Sequence, residues 1–557
     1  MKQEISSAIR DALRKLQIAH GWGDVIDVAF HVGHPQDEHH GDYACNVAMI
    51  LSSVLRVNTL ELGEWINDEL ERNVEFAKSF QRIEVVPPGF LNFTLSHEYL
   101  SSFVEVILDQ EEKFGRTNTG KKERIQVEFI SANPTGPLTF ANGRGGFTGD
   151  VLSNVLSWAG YHVFKEYYWN DRGKQIEILG DSVTRRWLQM QGVKVPYPEE
   201  CYQGEYISDI AKKLHLKDYK LQNIKKIEKV RERISEAAVK IMKEEIQEVV
   251  GKKMGIAYHY WFSEKTLYEN GEVEKVLEAL RKQDLLYTND GALWMKTSKF
   301  GDDKDRVIVK SDGEYTYFMS DAAYLWNKFC VRSFDRVILI LGADHHGHIG
   351  RIQAAASAIG KPGKLDILIM QLVKLIKNGE EIRMSKRAGN FVPIADVIDE
   401  VGLDAARFFF LMNAASNHMD FDLDLAKERS EKNPVYYVQY AHARICQIMN
   451  KIATDHQDMK RVSYERFEFH DPAELSLLRE LMKLPELVSE IAGSYEVHRL
   501  PYYAINLARK FHWFYTQCRV IDEGEVNINR LALIRATKTV LANTLTLMGI
   551  TAPKRMS

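Results

Sequence analysis

Cysteine is scarce: the 557 residues hold five, at Cys45, Cys201, Cys330, Cys446 and Cys518, and no two form a CxxC pair. That scatter argues against a disulfide framework and a cysteine-based zinc site, and it fits a chain working in a reducing, cytoplasmic setting. Long hydrophobic runs are missing too. No stretch of about 18 or more uncharged apolar residues occurs, which leaves no candidate for a membrane-spanning helix. The opening MKQEISSAIRDALRKLQIAH mixes acids and bases on an amphipathic pattern and lacks the apolar centre of a secretory leader. An excess of positive charge is also absent. There are 73 Lys and Arg against 77 Asp and Glu, a net charge of −4, which excludes a generically basic nucleic-acid binder. Residues 426–557 depart mildly from that balance, with 19 Lys and Arg against 15 Asp and Glu. The difference suits local phosphate contacts and ordinary surface variation about equally. No repeats or low-complexity tracts are seen, so solenoid architectures drop out.

What is present is an ordinary globular composition, 45% hydrophobic and 27% charged, over a length that exceeds one compact core. Residues 1–115 read as a small α+β N-terminal domain, with helical patterns around one short apolar strand, RIEVVPPGFLNFTLS (82–96). A polar run at 109–124 leads into the next unit. There RIQVEFI (124–130) is a strand, SANPTGPLTFANGRGG (131–146) a Pro/Gly-rich loop, and Phe147, Val151, Leu152, Val155 and Leu156 the apolar face of a helix. Gly160 suits the helix stop, and YHVFKEYYW (161–169) is the next strand. Strand, Gly-rich turn, helix and strand is how a parallel sheet offers a helix N-terminus to a phosphate.

The predicted fold class is therefore multidomain α/β plus all-α. Residues 116–425 form a Rossmann-like parallel-sheet domain carrying a helical insertion near 172–299, where Lys/Glu-rich helices dominate. The sheet resumes at DRVIVK, EYTYFM, RVILILGAD and LDILIMQLVKLI, and residues 426–557 form a C-terminal helical bundle.

ATP activation needs donors and mobile cations on the α-phosphate as it turns pentacovalent. The loop at 131–146 supplies Gly136, Gly143, Gly145 and Gly146 for close backbone approach, and RMSKRAGN (383–390) supplies Arg383 and Lys386, with Gly389 as a hinge. Either segment alone is weak; in this order on an interrupted sheet they reinforce one another. The pair resembles the two signatures of class I aminoacyl-tRNA synthetases. The words around them are similar to those of arginyl-tRNA synthetases: VEFISANPTGPL, EYYWNDRGKQIE, LGADHHGH, DFDLDLA, NPVYYVQYAHARI, the terminal TLMGITAPKRM and the N-terminal HGDYACNVA. The resemblance runs nearly end to end.

It implies ATP-dependent attachment of L-arginine to tRNA(Arg) through an arginyl-adenylate, with Mg²⁺ entering as the ATP complex and no metal held by the protein. Arginine would be held by Glu128, Ser131, Asn133, Tyr317 and Asp321, since carboxylates accept a planar guanidinium bidentately and suit lysine poorly. Catalytic contacts would come from Thr139, Asn142, Arg383, Ser385 and Lys386, and ATP contacts from Pro134, Thr139, Asn142, Gly143, Asp344, His345, His346, Met384 and Lys386. Asp344 to His348 superficially invites a metal, but the spacing lacks the helical His/His face of a zinc protease. For tRNA, Tyr440, His442, Arg444 and Tyr515 would serve the anticodon, and Phe90 and Asn92, with Phe93 beside them, the elbow. A monomer is expected.

The chain departs from the family at its first signature. Where His-x-Gly-His is usual, Thr139-Phe140-Ala141-Asn142 stands here. Thr and Asn still donate hydrogen bonds, with less electrostatic help than imidazole. Gly136 stands where many relatives carry a lysine, while Lys386 is retained. The alternatives are a class I enzyme for cysteine or glutamate, or a non-catalytic RNA-binding relative. The lack of zinc-ligand cysteines speaks against cysteine, and the acidic substrate residues speak against glutamate.

Overall fold

The computed structural model describes residues 1–23, 28–214, 227–382, 391–455 and 467–556. The chain opens with helix α1 (Lys2–His20), whose Ile5, Ile9, Leu13 and Leu16 fall on one face and are buried. The same domain holds a four-stranded antiparallel sheet, ordered β1-β2-β4-β3, of β1 (Val32–Gly33), β2 (Tyr43–Cys45), β3 (Phe80–Val86) and β4 (Phe90–Leu95). The single strand expected at 82–96 is thus a hairpin. Pro87, Pro88 and Gly89 interrupt the apolar run and turn it back on itself.

The second sheet has five parallel strands: β5 (Arg124–Glu128), β6 (His162–Trp169), β7 (Tyr260–Ser263), β8 (Arg336–Gly342) and β9 (Leu365–Met370). Their spatial order is β9-β8-β5-β6-β7. From β5 the chain steps one way through helix α2 (Phe140–Trp158) to β6, and later returns on the other side as β8. The carboxyl ends of β5 and β8 therefore flank a topological switch point, where open α/β sheets bind ligands.

The insertion near 172–299 is not one helical block, because Tyr260–Ser263 returns to the parallel sheet inside it. Before that strand lie α3 (Lys174–Met190) and α4 (Ile227–Glu248); after it comes a small three-stranded antiparallel sheet at 286–309. The EYTYFM run is not a strand either. Thr316 precedes helix α5 (Tyr317–Trp326), in which Phe318, Met319, Ala322, Ala323 and Leu325 are buried at helical spacing. LDILIMQLVKLI splits into β9 and a strand, β10 (Val373–Lys377), that pairs in parallel with β11 (Met419–Asp422) in a separate sheet.

Helix α6 (Leu403–Leu411) then leads to a bundle of α7 (Pro434–Asp455), α8 (Pro472–Ser494), α9 (Arg499–Gln517) and α10 (Ile528–Leu547). One apolar core runs from the N-terminal domain across a face of the parallel sheet into this bundle, and a second fills the other face.

Candidate active site and RNA-contacting surfaces

The backbone leaving β5 is unusual. Ile130 and Ser131 both have positive φ, 66° and 42°, a costly conformation for residues with a Cβ and above all for a β-branched one. Two tyrosines hold it. The Tyr258 hydroxyl donates to the Phe129 carbonyl at 2.8 Å, and the Tyr167 hydroxyl accepts from Ala132 N–H at 3.1 Å and lies 3.0 Å from its carbonyl. The loop then descends through Pro134 to Thr139, which precedes α2. Asn142 Oδ1 accepts from Thr139 N–H at 2.9 Å and from its hydroxyl at 3.0 Å. The altered signature is thus a self-bracing helix start, one of the helix termini that attract anions.

The flank of the second signature reaches the first. Residues 383–390, with Arg383, Met384, Ser385 and Lys386, lie outside the described residues, but their C-terminal flank packs on the first signature. Phe140 N–H donates to the Val392 carbonyl at 2.8 Å, and Ile394 N–H to the Leu138 carbonyl at 3.0 Å. Arg144, fully buried on α2, donates to the carbonyls of Gln371, Leu372, Ala414 and Asn417 at 2.6–3.2 Å. It ties the helix to the segments flanking β10 and β11.

Two of the loop's glycines, Gly143 and Gly146, also serve packing. A Cβ at Gly143 would meet Ile394 Cδ1 at 2.7 Å, and one at Gly146 would meet Met254 Cε at 2.7 Å. These positions are small so that α2 packs closely against its neighbours. Ala141, whose methyl group replaces a glycine, is exposed.

Four of the five residues expected to hold arginine, Glu128, Ser131, Asn133 and Asp321, lie near the end of β5. Ser131 Oγ donates to Glu128 Oε1 at 3.1 Å, and Asn133 Nδ2 to Gln175 Oε1 at 2.6 Å. Tyr317 is exposed, its hydroxyl beside Gly173. Asp321 lies one turn along α5. Its carboxyl is pushed up to about 7, first by burial, with Glu264 and Glu128 adding and Arg351 and Lys328 opposing. Glu128 departs from the expectation. It is buried and its Oε2 sits 2.5 Å from Lys328 Nζ, itself fully buried. A cation of the protein thus already engages one of the two carboxylates, Glu128 and Asp321, expected to share the guanidinium and the α-amino group. Asp344, His345 and His346 follow β8 in a short 3₁₀ turn (Ala343–His348), with His345 Nε2 3.7 Å from Asp344 Oδ2. They stand at the carboxyl end of the strand next to β5.

On the bundle, Tyr440 is exposed and stacks near His512, with ring centroids 5.9 Å apart. Ser430, Glu431, Tyr436, Tyr437, Tyr440 and His512 line a cavity of about 400 Å³. His512 Nε2 is buried without a hydrogen-bond partner. The Arg444 guanidinium lies over the Tyr515 ring at 5.2 Å. His442 does not share this surface. It is buried with Nδ1 2.8 Å from the Pro553 carbonyl, so it fastens α7 to the end of the chain. Tyr436, Tyr437 and His512 escaped the sequence reading because their convergence is tertiary. In the N-terminal domain, Phe93 is core, whereas Phe90 and Asn92 line a cavity of about 380 Å³ with His31, His40 and Asn46. Asn92 is buried and its Nδ2 has no partner, a donor left open beside this cavity.

Residues 3–95 match the model of the arginyl tRNA synthetase N terminal domain, residues 103–432 that of the class I (R) tRNA synthetase catalytic domain, and residues 438–556 that of the DALR anticodon binding domain. The chain belongs to the arginyl-tRNA synthetase family. The arginine–tRNA ligases of Heliobacterium modesticaldum and Carboxydothermus hydrogenoformans are each 42% identical to it, over 100% of this chain and 99% of theirs. The arginyl-tRNA synthetase of Thermus thermophilus, at 21% identity, shares the fold over 100% of both chains with a TM-score of 0.74. As a member of this family, the chain is an ATP-using ligase that attaches arginine to tRNA. Among the described residues, no helix is long and apolar enough to cross a membrane, and no three His, Cys, Asp or Glu side chains are grouped to hold a metal.

Proposed function

We propose that the arginine carboxylate attacks the ATP α-phosphate in line at the crevice beyond β5 and β8, and that the adenylate then esterifies the terminal adenosine of tRNA(Arg). Lys386, Arg383 and Ser385 act on the departing pyrophosphate together with Thr139 and Asn142, with Mg²⁺ arriving on the phosphates. Asn142 Oδ1 is engaged by Thr139, and its amide NH₂ donates to a phosphate oxygen. Pro134, Gly143, Met384, Asp344, His345 and His346 surround the nucleotide. Asp321 takes the guanidinium, with Ser131, Asn133 and Tyr317 along the rest of the substrate. The observation that carries this reading is the pair of hydrogen bonds joining Leu138–Phe140 to Val392 and Ile394, since it seats both signature flanks at one helix start.

The tRNA elbow inserts an unstacked base beside Phe90, where Asn92 Nδ2 donates to it. Anticodon bases stack among Tyr436, Tyr437, Tyr440 and His512, and Arg444 with Tyr515 contacts the strand. We further propose a cytoplasmic monomer, divided at 1–115, 116–425 and 426–557.

Charging of tRNA(Arg) with labelled arginine tests the mechanism. Lys386→Ala is expected to lower kcat by roughly a hundredfold or more. A variant within twofold of the parent enzyme contradicts the role given to Lys386.

A further inference from the structure

Beneath the proposed arginine site lies a buried array of charges that the reaction itself does not use. Glu128 and Glu166 are register partners on β5 and β6, both buried, so two carboxylates stand side by side in the sheet. Each needs a cation there, because like charges on adjacent strands repel and buried carboxylates are costly unpaired. Both cations come from one segment. Helix α5 runs into a π turn, Asn327–Val331, which carries Lys328 and ends at Arg332. Lys328 Nζ lies 2.5 Å from Glu128 Oε2 and 4.0 Å above the Tyr324 ring. Arg332 grips both oxygens of Glu166, one of them at 2.9 Å, while Gln126 Nε2 donates to the same carboxylate at 2.6 Å and the Tyr324 hydroxyl also donates to it.

Tyr317, Asp321, Tyr324, Lys328 and Arg332 follow one another at spacings of four, three, four and four residues, which is one helical face. The π turn adds a residue to its turn, as π bulges at functional sites do. The face has two halves. Its first half offers Tyr317 and Asp321 to the substrate; its second half bolts the helix to the carboxyl end of β5 and the middle of β6.

We propose that Lys328 is a positioning residue for arginine recognition: by engaging Glu128, with Arg332 on Glu166 as a second bolt, it fixes where α5 holds Asp321 over the sheet. This rests on the arginine-site reading above. Its consequence is selective. Loss of the bolt displaces the guanidinium acceptor and leaves the ATP-binding residues of α2 and the β8 turn in place.

The test uses the full chain with tRNA(Arg), following arginine-dependent ATP–pyrophosphate exchange in Lys328→Met, Lys328→Arg and Arg332→Met. Lys328→Met is expected to raise the arginine KM roughly tenfold to a hundredfold with the ATP KM within about twofold. Lys328→Arg, which still reaches Glu128, should recover most of the loss. Should Lys328→Met fail to fold by circular dichroism, Arg332→Met, outside the substrate pocket, gives the same selective rise. An unchanged arginine KM in a folded variant overturns the proposal. So does an equal rise for arginine and ATP, or a Lys328→Arg no better than Lys328→Met. Failure of the underlying reading looks different: Asp321→Asn would leave the arginine KM unchanged.

Discussion

Asp321 is pushed up to about 7 chiefly by burial, so near neutrality much of it carries a proton while a guanidinium binds the ionised form. Arginine binding should therefore release a proton below pH 7. The value of kcat/KM for arginine should rise about tenfold per pH unit on the acid side and level off above 7; a steady-state pH profile reads both limbs. The stability sign is opposite. With the folded pKa above the unfolded value, the unliganded enzyme loses stability as pH rises from about 4 toward 7, because the folded state resists ionisation. Asp321→Asn should abolish the titrating limb and raise the arginine KM. A profile flat from pH 6 to 8 in the parent enzyme contradicts this assignment. At this scale the sequence was informative about which residues gather, since Glu128, Ser131, Asn133 and Asp321 all sit near one strand end. It was silent on Lys328, whose pairing with Glu128 brings together residues two hundred positions apart. It also assigned His442 to a surface when burial makes it a fastener.

Helix α2 shows how an element constrains its sequence. A Cβ at Gly149 would lie 2.3 Å from Phe129 Cγ and 2.6 Å from its Cβ, so the helix and β5 approach too closely for any side chain there. Gly149→Ala, favourable for helix propensity alone, is expected to destabilise the protein by about 1–3 kcal/mol through overpacking, measured as a lower thermal midpoint. A stabilised variant would show that the helix–strand contact yields easily. The βαβ unit holding this helix was legible because its apolar spacing, glycines and strand lengths all agreed. EYTYFM was misread because six residues of alternating aromatics satisfy both periods. The helix became visible only with the following DAAYLW, whose buried positions recur at helical spacing. Tyr260–Ser263 was missed because four residues at a sheet edge, flanked by long helices, leave almost no periodic trace.

Across the whole molecule, Arg407 on α6 joins three parts of the chain. It meets Asp150 on α2 at 2.7 Å, the Met548 carbonyl after α10 at 3.1 Å and the Met254 carbonyl at 2.8 Å. Gly549, at φ 66°, makes room: a Cβ there would lie 2.3 Å from Arg407 Nη1. The terminal word TLMGITAPKRM therefore has a physical reason, which the sequence alone did not reveal. Arg407→Met leaves Asp150 with Lys165 at 2.6 Å but removes its buried guanidinium. A loss of about 3–5 kcal/mol should appear in denaturant unfolding; an effect below 1 kcal/mol contradicts the buried-hub account.

ATP–pyrophosphate exchange with each of the twenty amino acids, with and without tRNA(Arg), tests the central claim most directly. The account predicts exchange driven by arginine in the presence of tRNA(Arg), despite the Thr139-to-Asn142 form of the first signature. Exchange driven by cysteine or glutamate, or none with arginine and its tRNA, contradicts it.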